Sequence, residues 1–133
     1  MRNSLLAALV LLACACGDYQ FGPPSPTPAT GTVAGRVIAV PCAPVEKPGS
    51  ACAGRPVPSL ELDYLSGTSA AGRAVTDSHG NYSIELKPGA YEVTMKTYMR
   101  VISGPLKLSI APGSNTVANY VLDNGIRMPV PQQ

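Results

Sequence analysis

Between Asn81 and Met95 the chain alternates apolar and polar residues in two runs. Tyr82, Ile84 and Leu86 are separated by Ser83 and Glu85, and Tyr91, Val93 and Met95 by Glu92 and Thr94. Side chains on a strand point alternately to its two faces, so each run reads as a strand with one buried and one wet side. Lys87-Pro88-Gly89-Ala90 joins them, with proline presetting φ at the second position and glycine accepting the positive φ of a type II turn at the third. The two runs are therefore expected to pair as a β-hairpin. The same reading predicts strands at Thr32 to Val40, Leu60 to Tyr64, Ala74 to Thr76, Leu106 to Ile110 and Val117 to Leu122. Gly35 interrupts the first of these and marks a bulge or a close backbone approach. Ser66 to Gly72 reads as a small polar loop, and the pattern weakens from Tyr98 to Ile102. Seven short strands with turns between them and no helical periodicity predict an all-β antiparallel sandwich.

Asp77-Ser78-His79-Gly80-Asn81-Tyr82 followed by Leu86-Lys87-Pro88-Gly89-Ala90-Tyr91 resembles the D-x-x-G-x-Y…L-x-P-G-x-Y signature of carboxypeptidase regulatory-like domains. Upstream, Gly31-Thr32-Val33-Ala34-Gly35-Arg36-Val37 is similar to the opening G-x-V-x-G-x-V strand of that family, and Arg55-Pro56-Val57-Pro58 to the segment before its second strand. The resemblance implies a seven-stranded antiparallel Greek-key β-sandwich of the transthyretin (prealbumin) type over residues 31–123, with 124–133 as a flexible tail. It makes Asp77, Gly80, Tyr82, Pro88, Gly89 and Tyr91 the signature positions. It implies no particular activity, because one fold serves many functions.

The N-terminus reads as a targeting segment rather than as part of the fold. Arg2 supplies a positive start, and Leu5 to Ala13 is an apolar run too short to span a bilayer, which needs ~20 residues. Leu11-Leu12-Ala13-Cys14 resembles a bacterial lipobox. Residues 1–13 are accordingly expected to be a lipoprotein signal peptide and Cys14 the lipidated residue; if Cys16 takes that role, the leader extends to residue 15. Ala13-Cys14-Ala15 also fits small-x-small cleavage, which leaves plain secretion as the alternative. Residues 14–30 form a proline-rich linker, with Pro23, Pro24, Pro26 and Pro28 favouring extended polyproline II. At ~3.1 Å per residue, the part from Gly17 to Thr30 would hold a domain up to ~40 Å from a membrane.

Composition changes this picture little. The chain has 133 residues, ten basic and eight acidic side chains and one histidine, and removing Arg2 with the leader brings the charge close to balance. No basic stripe or stacking platform points to nucleic acid. Cys42 and Cys52, in an exported chain, are expected to form a disulfide closing a surface loop. Their spacing is not C-x-x-C and no histidine lies near, so a redox or zinc role is disfavoured, and no metal or cofactor is expected. His79 sits in the turn between Asp77 and Gly80. It is read as a solvated turn residue, since neighbours such as Ser78 on a turn seldom form a catalytic pair. Glu61, Asp63, Glu85 and Glu92 fall on outward strand faces, and Lys87, Lys96 and Lys107 on polar faces or turns. An internal Lys–Asn isopeptide is thereby disfavoured. The chain has no tryptophan, and Tyr64, Tyr82 and Tyr91 are assigned to the core, which leaves Tyr98 as the stacking platform of the folded part and Tyr120 as a second, weaker candidate.

These readings converge on a non-enzymatic, monomeric, lipid-anchored domain on the outer side of a membrane in the cell envelope. Its expected partners are the membrane, through the lipid, and an envelope protein or polysaccharide. A carbohydrate-binding module is the second reading.

Overall fold

The computed structural model describes Gly22, Pro26 and residues 29–49 and 51–126. The leader, Cys14, Cys16, most of the linker and the last part of the tail lie outside the described residues. Ten strands follow one another: β1 (Gly31–Val40), β2 (Arg55–Pro56), β3 (Glu61–Ser66), β4 (Ser69–Val75), β5 (Asn81–Leu86), β6 (Gly89–Met95), β7 (Arg100–Ser103), β8 (Lys107–Ile110), β9 (Asn115–Val117) and β10 (Tyr120–Asp123).

β1 is the axis of the first sheet. Along one side its first half pairs antiparallel with β5, from Gly31 opposite Leu86 to Arg36 opposite Asn81, and its second half with β2 through Ile38–Pro56 and Ala39–Arg55. Along the other side it pairs parallel with β9 and then β10, while β7 lies antiparallel outside β10. The second sheet runs β4-β3-β6-β8, antiparallel throughout. The inward faces close on one core, with Val33, Val37, Tyr82, Leu86, Tyr120 and Leu122 from the first sheet meeting Leu62, Tyr64, Tyr91 and Val93 from the second.

β9 and β10 keep one register against β1 although the strand breaks at Ala118-Asn119. Gly35 explains the break: a Cβ there would lie 1.9 Å from the Ala118 carbonyl oxygen. Glycine thus admits a backbone approach no other residue allows. The ladder is completed by a side chain, as the Arg36 amide donates to Asn119 Oδ1 at 2.9 Å. Sheet and loop are further joined by buried Thr76, whose hydroxyl donates to the Val57 carbonyl at 2.6 Å and accepts from the Leu60 amide at 2.8 Å.

Several expectations are corrected. β5 and β6 do not pair: β5 belongs to β1, and β6 to β3 and β8. The Lys87-Pro88 link therefore crosses from one sheet to the other as an arch, with Gly89 at φ 153° opening β6 instead of completing a type II turn. The Tyr91 hydroxyl donates to the Lys87 carbonyl at 2.7 Å and clamps that corner. Ser66 to Gly72 is not a loop, because Ser69 already opens β4; only Gly67-Thr68 turns, and Gly67 at φ 62° suits the first central position of a type II′ hairpin turn. The stretch where the pattern weakens holds β7. Among the described residues the strand total is ten rather than seven, because the expected strand from Val117 to Leu122 is broken at Ala118-Asn119 and because β2 and β7 give no alternating signal.

Candidate functional site

β1 separates the two ends of the sandwich by roughly 30 Å, ten residues at about 3.3 Å each. At the Gly31 end the chain enters the fold. At the Val40 end three connections meet, with described residues 41–49 and 51–54, 57–60 and 96–99, together with the segment 124–126 that follows β10. Three of the seven large apolar side chains exposed among the described residues lie in these segments, Val45 at 63%, Tyr98 at 87% and Ile126 at 47%.

The first connection is a stapled loop. Cys42 and Cys52 are disulfide-bonded with their Cα atoms 5.7 Å apart, as the sequence led us to expect. Such a structural bond belongs to an oxidising, extracytoplasmic compartment. Glu46 folds back so that its carboxylate accepts from the Cys42 amide at 3.0 Å. Cys42, Glu46 and Cys52 thus lie within 4.8 Å of one another. With the two sulfurs bonded to each other, neither is the thiolate a metal ion would take as ligand.

Beside this loop lies a groove of about 200 Å³ whose walls include Arg55, Pro56, Pro58, Tyr98, Met99 and Ile126. Arg55 is set by its pairing with Ala39 on β1. Tyr98 projects from a tight turn in which the Thr97 amide donates to the Met95 carbonyl at 3.1 Å and the Met99 amide to Thr97 Oγ1 at 3.1 Å. The next residue, Arg100, is anchored to Asp123 at 3.6 Å. Asn124 closes the floor: its amide group donates to the Pro41 carbonyl at 3.1 Å and its Oδ1 accepts from the Ile126 amide at 3.0 Å.

The signature positions occupy other places. Asp77 Oδ1 accepts from the amides of His79 at 2.8 Å and Asn81 at 2.9 Å, and these bonds, Asn81 first, hold its carboxyl below the usual range. Gly80, at φ 77°, completes that turn. Tyr82 is buried and donates to the Ala118 carbonyl. Pro88, Gly89 and Tyr91 form the corner described above. Ser78 Oγ lies 3.2 Å from His79 Nδ1, closer than neighbours on a turn were expected to come. Asp77 Oδ1 is committed to backbone amides, and among the described residues no hydrogen bond from the imidazole to a carboxylate is formed.

Two groups behave differently from the sequence reading. Tyr120 is not the exposed platform its sequence position suggests: it is fully buried, its hydroxyl donating to the Pro105 carbonyl at 2.7 Å and its ring centroid 6.4 Å from that of Tyr82. Burial raises the hydroxyl pKa of Tyr64, Tyr82 and Tyr120 above the ordinary value. Glu61 and Asp63 do face outward, but as a network rather than as separate solvated charges. Arg73 Nε meets Asp63 at 2.6 Å, and Lys96 Nζ meets Glu61 at 2.8 Å. These partners hold both carboxyls below their ordinary values, Glu61 chiefly through Lys96 and Asp63 chiefly through Arg73. Lys87, Lys96 and Lys107 are all exposed.

A second hollow, of about 450 Å³, lies near the Gly31 end on the outer face of the second sheet between Leu65, Ala90, Glu92 and Lys107. Glu92 and Lys107 stand opposite each other in register there, so its charges are balanced.

No protein-family model matches the chain. No curated protein matches it either. Among solved structures it is similar to GBS52, the minor pilin in the Gram-positive pathogen Streptococcus agalactiae, at 15% identity and a TM-score of 0.48, over 79% of this chain and 48% of that one. The chain thus spans about half the length of that pilin.

Proposed function

We propose that the chain is a non-enzymatic module of the cell envelope, anchored by a lipid on Cys14 (Cys16 being the alternative) and carried on the proline-rich stretch 14–30. In this reading residues 31–123 form a carboxypeptidase regulatory-like domain of the transthyretin type, and its work is structural: to meet another envelope component. The observation that carries the reading is the Cys42–Cys52 disulfide, which agrees with export directed by a leader. The family assignment is supported by the local geometry of the signature, where Asp77 and Gly80 build one turn and Tyr91 clamps the next corner. The bonds that Asp77 makes to the His79 and Asn81 amides give it a structural task in the turn beside Ser78.

Carbohydrate binding is the second reading, favoured by the exposed ring of Tyr98. Membrane fractionation tests the first. The Cys14→Ser, Cys16→Ser double variant should move the protein to the soluble fraction, and the two single variants should show which cysteine bears the lipid. A double variant that stays with the membrane would overturn lipid anchoring.

A further inference from the structure

We propose that the groove between Arg55 and Tyr98 is the docking surface of this module, and that it takes an acidic protein surface offering one apolar side chain. The inference rests on the envelope-module reading and names the chemistry of its partner.

Position is the first argument. The stalk joins at Gly31, and the groove is built on the far end of β1, against Ala39. A domain held at Gly31 presents this end away from its anchor. Size is the second. About 200 Å³ is less than the ~300–1,000 Å³ of a pocket that encloses a small molecule, but it suits a side chain laid between rigid walls. The backbone of the walls is held: two of the residues are prolines, and Tyr98 leaves a hydrogen-bonded turn. The ordering entropy lost on association is then mainly that of the exposed Tyr98 and Arg55 side chains.

Composition is the third argument. Tyrosine, arginine and methionine are the residues enriched at the centres of protein interfaces, and all three line this groove. Charge is the fourth. Arg36, Arg73, Lys96 and Arg100 are each engaged within the domain. The exposed guanidinium of Arg55 has no partner among the described residues. Solvated and free, it offers an incoming carboxylate a two-pronged hydrogen-bond donor. Pro56 lacks an amide hydrogen, so the two-residue edge strand β2 does not template a long added strand, and the contact is made by side chains.

The same residues disfavour a sugar. A saccharide stacked on Tyr98 needs several hydrogen-bonding side chains around its rim, and the groove offers two: Arg55, and Asn124, which already makes one bond from each end of its amide to Pro41 and Ile126. The rest of the lining is mostly aliphatic.

The test uses the full chain in non-ionic detergent against three immobilised probes: a short peptide alternating glutamate and leucine, its lysine–leucine counterpart, and polygalacturonate. Retention by the glutamate–leucine peptide, weakening as salt is raised, is expected. Tyr98→Ala should weaken it about tenfold or more, as removal of a central interface aromatic does. Arg55→Gln should weaken it up to about fivefold, the range of an exposed ion pair, and Arg55→Lys should restore part of the loss. Both side chains are exposed, and unchanged melting of the variants would show that folding is untouched. Equal retention by the lysine peptide, no retention by either peptide, or Tyr98-dependent retention by polygalacturonate alone would each overturn the proposal. Membrane fractionation of the same preparations reports separately on the anchoring.

Discussion

A Cβ placed on Gly80 would lie 2.4 Å from the carbonyl oxygen of Val37. That carbonyl accepts from the Val57 amide at 3.1 Å, and the Val37 amide donates to the Gly80 carbonyl at 2.8 Å. The contact therefore sits where one side of β1 passes from β5 to β2. Gly80 is held there at φ 77°.

Gly80→Ala is expected to destabilise the fold by about 2 kcal/mol or more. The left-handed backbone alone costs an L-residue about 1–2 kcal/mol. The Val37 carbonyl cannot yield without loosening its bond to Val57, which adds to that. Denaturant titration measures the change. An alanine variant as stable as the native chain would show that the turn can move away from β1.

Tyr64 and Tyr120 make a matched pair of core hydroxyls. Tyr120 donates to Pro105, while Tyr64 Oη, buried close to the Tyr82 hydroxyl whose own proton goes to the Ala118 carbonyl, has no partner of good hydrogen-bond geometry among the described residues. A buried unpaired hydroxyl costs about 1–3 kcal/mol of desolvation, whereas a made bond contributes about 1 kcal/mol. Tyr64→Phe should thus leave stability unchanged or raise it by about 1 kcal/mol, and Tyr120→Phe should lower it by a similar amount. Equal losses at both positions, measured by denaturant titration, would show that Tyr64 is hydrogen-bonded in solution.

Much of the strand placement could be read from alternation, because a half-buried strand has no other way to order its side chains. Tyr82, Leu86, Tyr91 and Val93 are all buried as their spacing predicts. Pairing was a different matter. A hairpin and an arch both join two strands by a short turn and aim both apolar sets at one core, so the Pro88-Gly89 link suited either. The detail that separates them is Tyr91, whose hydroxyl reaches back to Lys87 to hold a corner between sheets. β2 and β7 escaped because two residues cannot alternate and because Val101 and Ile102 are apolar on both sides. At the candidate site, the disulfide could be anticipated from two cysteines in an exported chain, and the exposure of Tyr98 from its place outside the alternating runs. The role of Arg55 could not, since it depends on which distant segments β1 brings to its Val40 end.

The charge network on the second sheet makes stability depend on acid. Glu61 and Asp63 have folded-state pKa values below their ordinary 4.5 and 3.8. Groups depressed in this way contribute stability that is fully present above the ordinary values and is lost as pH falls through the folded ones. Melting temperature should accordingly fall as pH drops below about 4.5, and the fall should be shallower in Arg73→Gln, which removes the main partner of Asp63. Because the groups are exposed, added salt should also flatten the native profile. Identical acid limbs for the native chain and the variant would show that the network does not contribute.

The Cys42–Cys52 bond closes a loop over a sequence separation of 10 residues. Chain-entropy arguments give such a cross-link about 2.5–3 kcal/mol, mostly by restricting the unfolded chain. That is a large share of the ~5–15 kcal/mol typical of a domain. Reduction should therefore lower the melting temperature by roughly 10–20 °C for a domain of this size. The Cys42→Ser, Cys52→Ser variant should melt at the reduced value whether or not reductant is present. The loop also carries Val45 and borders the Arg55–Tyr98 groove, so the serine variant separates two effects. If the loop only stabilises the fold, glutamate–leucine peptide binding measured well below the melting transition should match that of the native chain. If its rigidity helps to shape the groove, binding should weaken even though the domain is folded. An unchanged melt with both thiols shown to be free would overturn the stabilising role of the bond.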